Sequence, residues 1–354
     1  DLIQLKGKLI KLTVLFNCKL LGDYLTAYSE MKQLFEEALE GAMPAISFVA
    51  QSPLEDTLVV EYTIAEEADG ILNFKSHKGI PYVCLSDQNM DQMYMGGIHA
   101  NDAEQNAAQQ SEYAFAIMDE ILQKEGYQWQ DVVRQWNYIE AITALENDRQ
   151  RYQAFNDIRA IYYEKSGWKD GFPAATGIGA EAGGIVIDAI LAKHKKAYSK
   201  IAYDLTNPKQ IDAHKYSQNV LIGEKDTQLD ARKTPKFERA KCLDKVYRKE
   251  LYISGTAAII GEDTVPSDEA GEQTRITLDN IKTLISSANL KNAGVDTDHD
   301  GDIKHLRVYV KLEKDYEAIK SVVEAMYSDR SLTFVIADVC RDELLVEIEG
   351  IALI

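Results

Sequence analysis

Two stretches of the chain repeat one pattern. AQQSEYAFAIMDEIL (108–122) and GEQTRITLDNIKTLI (271–285) resemble each other faintly but in register. In the first, Tyr113, Ile117, Met118, Ile121 and Leu122 fall at helical spacing; in the second, Ile276, Ile281, Leu284 and Ile285 do the same. Each helix leads into a strand-like run, DVVRQWNYI (131–139) or KHLRVYVKL (304–312), then a second helix, 151–163 or 314–327. β-Branched strands close each half at 183–192 and 332–354. The order β-α-β-α-β, met twice, predicts an α+β protein of two tandem units, each a mixed sheet with helices on one face. The expected units are 1–195 and 246–354. A polar segment with little periodicity, 196–245, holds Pro208 and Pro235 and reads as a long connection wrapped on the surface or between the units.

Charge narrows the function. The net charge of −18 argues against a nucleic-acid partner, since phosphate binding needs clustered Lys and Arg. It also means that any anion site must be built from local arginines. No run reaches the length of apolar residues that a membrane span needs. The lysine-interrupted start does not read as a signal peptide. Cys18, Cys84, Cys242 and Cys340 are far apart and lack metal spacing. They are expected to be reduced thiols in a cytoplasmic protein, a monomer or small homo-oligomer without metal or cofactor.

Several motifs invite chemistry. DTDHDGDI (296–303) opens like a calcium loop, but its twelfth position is Arg307 and a strand follows, so it reads as a solvated acidic turn. TGIGAEAG (176–183) runs into Gly184-Ile185-Val186-Ile187, a strand rather than the helix a dinucleotide site needs. Tyr152, Asn156, Arg159 and Tyr163 lie at i, i+4, i+7 and i+11 and share a helix stripe. That stripe suits either a solvated face or a pocket wall that holds a carboxylate against aromatic rings. Glu347 and Glu349 share one face of an apolar C-terminal strand, where they either meet solvent or form a functional pair. A covered, unpaired Glu there would have a raised pKa, as a general acid requires.

Together, YISGTAAIIG (252–261), the Gln-bearing helix 271–285 and ADVCRDELLVEIEGIA (337–352) resemble the Rid/YjgF (chorismate-mutase-like) fold. VVRQWNYI (132–139), RYQAFNDIRA (151–160), FPAATGIG (172–179), NPKQIDAHKYS (207–217) and PKFERA (235–240) resemble, in the same order, the chorismatase family. That resemblance covers about 130–354 and leaves roughly the first 95 residues unmatched. It implies enzymes that cleave the enolpyruvyl ether of chorismate, a small dianion, releasing pyruvate. Aligning IVIDAIL (185–191) with VEIEGIA (346–352) sets Val186 opposite Glu347, so the first unit lacks the acid. By resemblance Glu347 is the catalytic acid, and Cys340 marks the 3-hydroxybenzoate-forming subtype. Cys340 also reads as a small buried hydrophobe. Arg159 and Arg239 are the expected carboxylate partners, with Tyr152, Tyr163, Thr176, Tyr216, Ser254, Gly255 and Thr256 as pocket wall. Arg134 and Arg151 suit either substrate binding or structural ion pairs, and Ser254 and Thr256 suit strand-end hydrogen bonds. Family members carry a His soon after SGTA, where this chain has Glu262-Asp263-Thr264. Two rival readings share the fold: a Rid-type imine deaminase with one carboxylate-binding Arg, and a non-catalytic binding or interaction protein. Two arginines converging on a pocket that also holds Glu347 would separate the first reading from both.

Overall fold

The computed structural model describes all residues except 1, 6, 66–69, 101–104, 169–170, 196–199, 227–228 and 246. The expected boundaries near 195 and 245 lie beside residues outside that set. The described residues form three main sheets and two short ladders.

The first sheet is built from β1 (Leu9–Phe16), β2 (Ala45–Ala50) and β3 (Leu58–Ile64), in the order β2-β1-β3. Helix α1 (Leu21–Leu39) connects β1 to β2, which pair in parallel as a crossover helix allows.

The second sheet contains β4 (Ile71–His77), β5 (Ile80–Ser86) and β6 (Met90–His99). It continues after α2 (Ala107–Glu125) with β7 (Val132–Glu140). The ladder β8 (Leu145–Glu146) and β9 (Arg149–Gln150) turns through Asn147 and Asp148, both at positive φ, and delivers the chain into α3 (Arg151–Lys165). Strands β10 (Ala174–Ala180) and β11 (Ile185–His194) complete the order β10-β7-β11-β6-β5-β4.

The third sheet repeats this plan. Its strands are β12 (Ala202–Leu205), β13 (Ala240–Asp244) and β14 (Lys249–Thr256). A small ladder, β15 (Ile259–Ile260) with β16 (Asp263–Thr264), precedes α4 (Ala270–Leu284) and α5 (Ser287–Asn292). Then come β17 (Asp302–Val310), α6 (Tyr316–Tyr327), β18 (Ser331–Ile336) and β19 (Val346–Leu353). The order β18-β17-β19-β14-β13-β12 is that of the second sheet, strand for strand. Val186 faces Tyr138 and Glu347 faces Tyr309 in corresponding registers, so the two positions are equivalent.

Two features differ from the reading of the sequence. Within 1–195, the strands of residues 9–64 hydrogen-bond as a sheet of their own, separate from the repeat. Within 196–245, the ends are not connection: Ala202–Leu205 and Ala240–Asp244 are an antiparallel pair of the third sheet. The acidic turn at 296–302 engages its own chain, with Asp298 on Lys291 (2.7 Å) and Asp300 accepting from Ser287 N (2.7 Å).

Alternation along the two long central strands decides the layers. Ile185, Ile187, Ala189 and Leu191 of β11 pack under α2 and α3, and Val346, Ile348 and Ala352 of β19 pack with α4 and α6. Opposite residues of all three sheets meet in a common core: Ile10 and Leu15, Trp136 and Tyr138, Tyr252 and Tyr309. The stretch after β2 ties the sheets together. Glu181 N donates to Ala50 O (2.8 Å), and Leu54 N donates to Phe334 O (3.0 Å), so it pairs along the β18 edge and against the end of β10.

Candidate active site

A cavity opens where the second and third sheets meet. Its walls are Tyr152, Gln153 and Asn156 of α3, Ala175 and Gly177 of β10, Gly255 of β14, and Glu347 of β19. The segment between β12 and β13 covers it with Tyr216, Val220, Leu221, Ile222, Pro235, Phe237 and Arg239. Cys340, Arg341 and Leu344 come from the loop before β19. Gln273 of α4 fixes that loop: its side chain donates to Glu343 O (2.9 Å) and accepts from Leu345 N (2.9 Å).

Glu347 is buried, 5% exposed. Burial and the neighbouring Glu349 carboxylate push its pKa up to about 8, against the pull of Arg134 and Arg239. It is therefore protonated at neutral pH. Gly255 makes room for it, since a Cβ there would collide with Glu347 Oε1. Gly255 lies where the β14–β19 register slips between Ile253 and Thr256, a bulge that brings the backbone toward the acid.

Glu349, two residues on, has the opposite fate. Arg134 Nη2 donates to its Oε2 (2.6 Å), as does the Thr176 hydroxyl, while Trp136 Nε1 donates to Oε1 (2.8 Å). Arg307 Nη1 lies 3.2 Å from Oε1. Burial raises this carboxyl, but the two guanidinium groups and the hydrogen bonds overcome it and hold the group below the usual carboxylate range. The paired glutamates are thus divided, one neutral acid and one fixed anion.

Two arginines face the cavity with Glu347. Arg239 Nη2 donates to Tyr216 Oη (2.8 Å) and to Ile211 O, while its Nε has no partner among the described residues. Arg341 Nη1 donates to Glu262 O (2.9 Å) and Thr264 Oγ1 (3.2 Å). Both guanidinium groups lie over the Tyr216 ring, 5.5 and 5.4 Å from its centroid. The acidic loop after SGTA therefore orients a cation.

The other expected site residues are spread over three layers. Tyr152, Tyr216, Gly255 and Cys340 line the cavity. Burial and the nearby Glu347 push the Cys340 thiol up to about 12, so it is not a thiolate nucleophile. Thr176 sits just behind, where its hydroxyl accepts from Gly255 N (3.0 Å). Ser254 donates to Glu238 O (2.6 Å) and accepts from Ala175 N of β10 (2.9 Å), which ties the two sheets together, whereas Thr256 donates to Ser254 O (2.9 Å) of its own strand.

Arg159 and Tyr163 depart from expectation. Arg159 is buried behind the lining residues, donating to Asn156 Oδ1 (2.6 Å). Tyr163 belongs to the aromatic core with Trp129, Trp168 and Phe172 and donates to Gln135 Oε1 (2.8 Å). Arg159 folds back on Tyr152 and Asn156, which stand between it and the cavity, while Tyr163, about three turns beyond Tyr152, reaches the aromatic core. Arg151 is bound to Glu140 O (2.6 Å) and to Glu146, a structural pair. Arg341, missed in the sequence, adjoins Cys340 within a motif already singled out.

Comparison with known proteins gives this geometry a family. Residues 76–192 match the family model described as chorismatase FkbO/Hyg5-like, N-terminal, and residues 242–354 match endoribonuclease L-PSP. A 3-hydroxybenzoate synthase of Streptomyces hygroscopicus is 32% identical over 248 residues, which make up 68% of this chain and 68% of that protein. The chain belongs to the chorismatase family. A chorismatase of the same organism is 32% identical over 223 residues, 62% of this chain and 60% of that one. The fold agrees: a chorismatase crystal structure superposes with a TM-score of 0.76 at 23% identity, covering 98% of this chain and 93% of the other. The two family matches fall on the two six-stranded sheets, and residues 9–64 precede both. Among the described residues no helix is long and apolar enough to cross a membrane.

Proposed function

We propose that the protein cleaves the enolpyruvyl ether of chorismate to pyruvate and a hydroxybenzoate, with 3-hydroxybenzoate as the favoured product. One observation carries this reading: a buried Glu347, its pKa raised to about 8, shares a cavity with Arg239 and Arg341. An enol ether hydrolyses by slow protonation of its CH2 carbon. Glu347 donates that proton, and its carboxylate then faces the oxocarbenium ion. Water adds to the cationic carbon, and the hemiketal collapses to pyruvate and the ring alcohol. Aromatisation to 3-hydroxybenzoate expels one water for the one taken up, so the two products together hold the atoms of chorismate. Arg239 and Arg341 receive the two carboxylates, a demand that a single-carboxylate imine substrate would not make. The test is pyruvate release from chorismate, read by coupling to lactate dehydrogenase; release no faster than without protein would reject the proposal.

Three outcomes follow from the site. Arg239→Met and Arg341→Met each remove a charge-assisted hydrogen bond worth about 1.5–3 kcal/mol. Each is expected to raise KM by roughly 10–100-fold, more than it lowers kcat. Activity depends on protonated Glu347, so kcat/KM should be level below its pKa and fall as pH rises through about 8. An unchanged rate at higher pH would remove Glu347 from the role of acid. Cys340→Ala should change the ratio of aromatic products, measured by chromatography, while pyruvate release continues; an unchanged ratio would refute its part in product choice.

A further inference from the structure

Glu349 is the anion beside the acid, and the contacts that hold it continue past the cavity. Arg307 of β17, 4% exposed at its side chain, donates through Nη1 to Tyr138 Oη (2.9 Å) and lies 3.2 Å from Glu349 Oε1. Its other edge meets Glu61 of β3: Arg307 Nε donates to Glu61 Oε1 (3.0 Å) and Nη2 to Oε2. His305 Nε2 lies 3.2 Å from the same Glu61 oxygen. A chain of alternating charge, Glu61–Arg307–Glu349–Arg134, thus runs from the N-terminal sheet to the layer behind the active-site wall, where Glu349 and Arg134 meet Thr176. Glu61 stands at its outer end with 19% of its side chain exposed, at the edge of a second cavity between the three sheets.

Resting on the function proposed above, we infer that Glu61 and Arg307 are positioning residues for the acid. Glu61 offsets the positive charge of Arg307, so that the four-group chain beside Glu347 carries no net positive charge. The N-terminal sheet, which precedes both family matches, thereby helps keep the acid protonated. Glu347 is also faced by Tyr309 across the strand pair, Arg134 of β7, Arg239, Cys340 and Tyr152; of these Tyr309 accepts from Arg307 Nη1 (3.3 Å), a contact that Glu61→Gln leaves in place.

Net charge fixes the signs. Glu61→Gln frees the Arg307 charge toward Glu349, so Glu347 loses its proton more readily and the alkaline limb of kcat/KM moves to lower pH. Arg307→Met leaves excess negative charge and moves the limb to higher pH. Each shift should be about half a unit or more, as expected for a charge one group removed. The double variant and Arg307→Lys should return the limb toward wild type. A general loosening of the fold would move both single variants the same way. The experiment is the pH profile of pyruvate release for all five proteins, with thermal unfolding run alongside. Opposite shifts and their cancellation support the assignment; shifts of one sign, or none in folded variants, overturn it. If Arg307→Met does not fold, Glu61→Gln against the double variant and Arg307→Lys decides. If wild type releases no pyruvate, the functional reading fails. The same ordering is then read without substrate, from the pH dependence of the carboxylic-acid band in infrared spectra of each protein minus its Glu347→Gln counterpart, and absence of the ordering rejects the assignment.

Discussion

Glu347→Gln is expected to lower pyruvate release from chorismate by ~10²–10⁴-fold, the usual contribution of a positioned general acid. Glutamine fills the same volume against Gly255 but has no proton to give to carbon. Its KM should stay near that of wild type, since Arg239 and Arg341 are untouched. The same change carries a stability signature. The Glu347 pKa is raised in the fold, so between about 4.3, the unfolded value, and about 8 the unfolded chain releases a proton that the native protein keeps. Wild-type stability therefore falls with rising pH across that window. Glu347→Gln lacks this term and should melt higher than wild type at pH 8. A variant that melts lower there while retaining activity would contradict both parts.

Glu349→Gln should act in the opposite direction. It leaves Arg134 buried without its counter-ion and weakens the hold on Arg307. Removing one member of a buried pair costs about 3–5 kcal/mol, to be read as a lower denaturation midpoint in urea at neutral pH. The wild-type Glu349 pKa is depressed, so its contribution is present above the unfolded carboxylate value and is lost only as pH falls through the folded one. Acid should therefore narrow the gap between wild type and variant. Losing this anion also removes the charge that helps raise Glu347, so the alkaline limb should move below about 8. Equal urea midpoints at pH 7 would mean that the Arg134 contact contributes little.

The repeat was readable in the sequence because periodicity survives where identity does not. Helices α2 and α4 carry apolar stripes that their sheets bury, and β11 and β19 alternate between an apolar outer face and a mixed inner one. Strands β12 and β13 were hidden for a different reason. AYDL is a short, half-buried edge, and AKCLD contains Lys241, whose buried ammonium donates to Gly171 O (2.7 Å) and Phe172 O (3.0 Å). Such a lysine looks like a surface residue until its carbonyl partners are known. Glu347 was identifiable from its strand and from resemblance. Arg341 was not, because it sits in a loop without period and its aim is set by Glu262 O and the face of Tyr216. Residues 9–64 have no twin in the chain, so no internal comparison could place them. Their charged reach into the common core is visible only in space: Lys11 meets Asp188 (2.7 Å) and Glu61 meets Arg307. Asp188 and Glu349 hold matching registers in the two sheets, so the small sheet touches each repeat at the same rung.

The cavity's walls come from both repeats, and the repeats are one polypeptide. Covalent linkage sets their local concentration at a value that dilution does not change. A catalytic crevice between separate subunits thins out as the protein is diluted, whereas the two repeats that wall this one cannot be diluted apart.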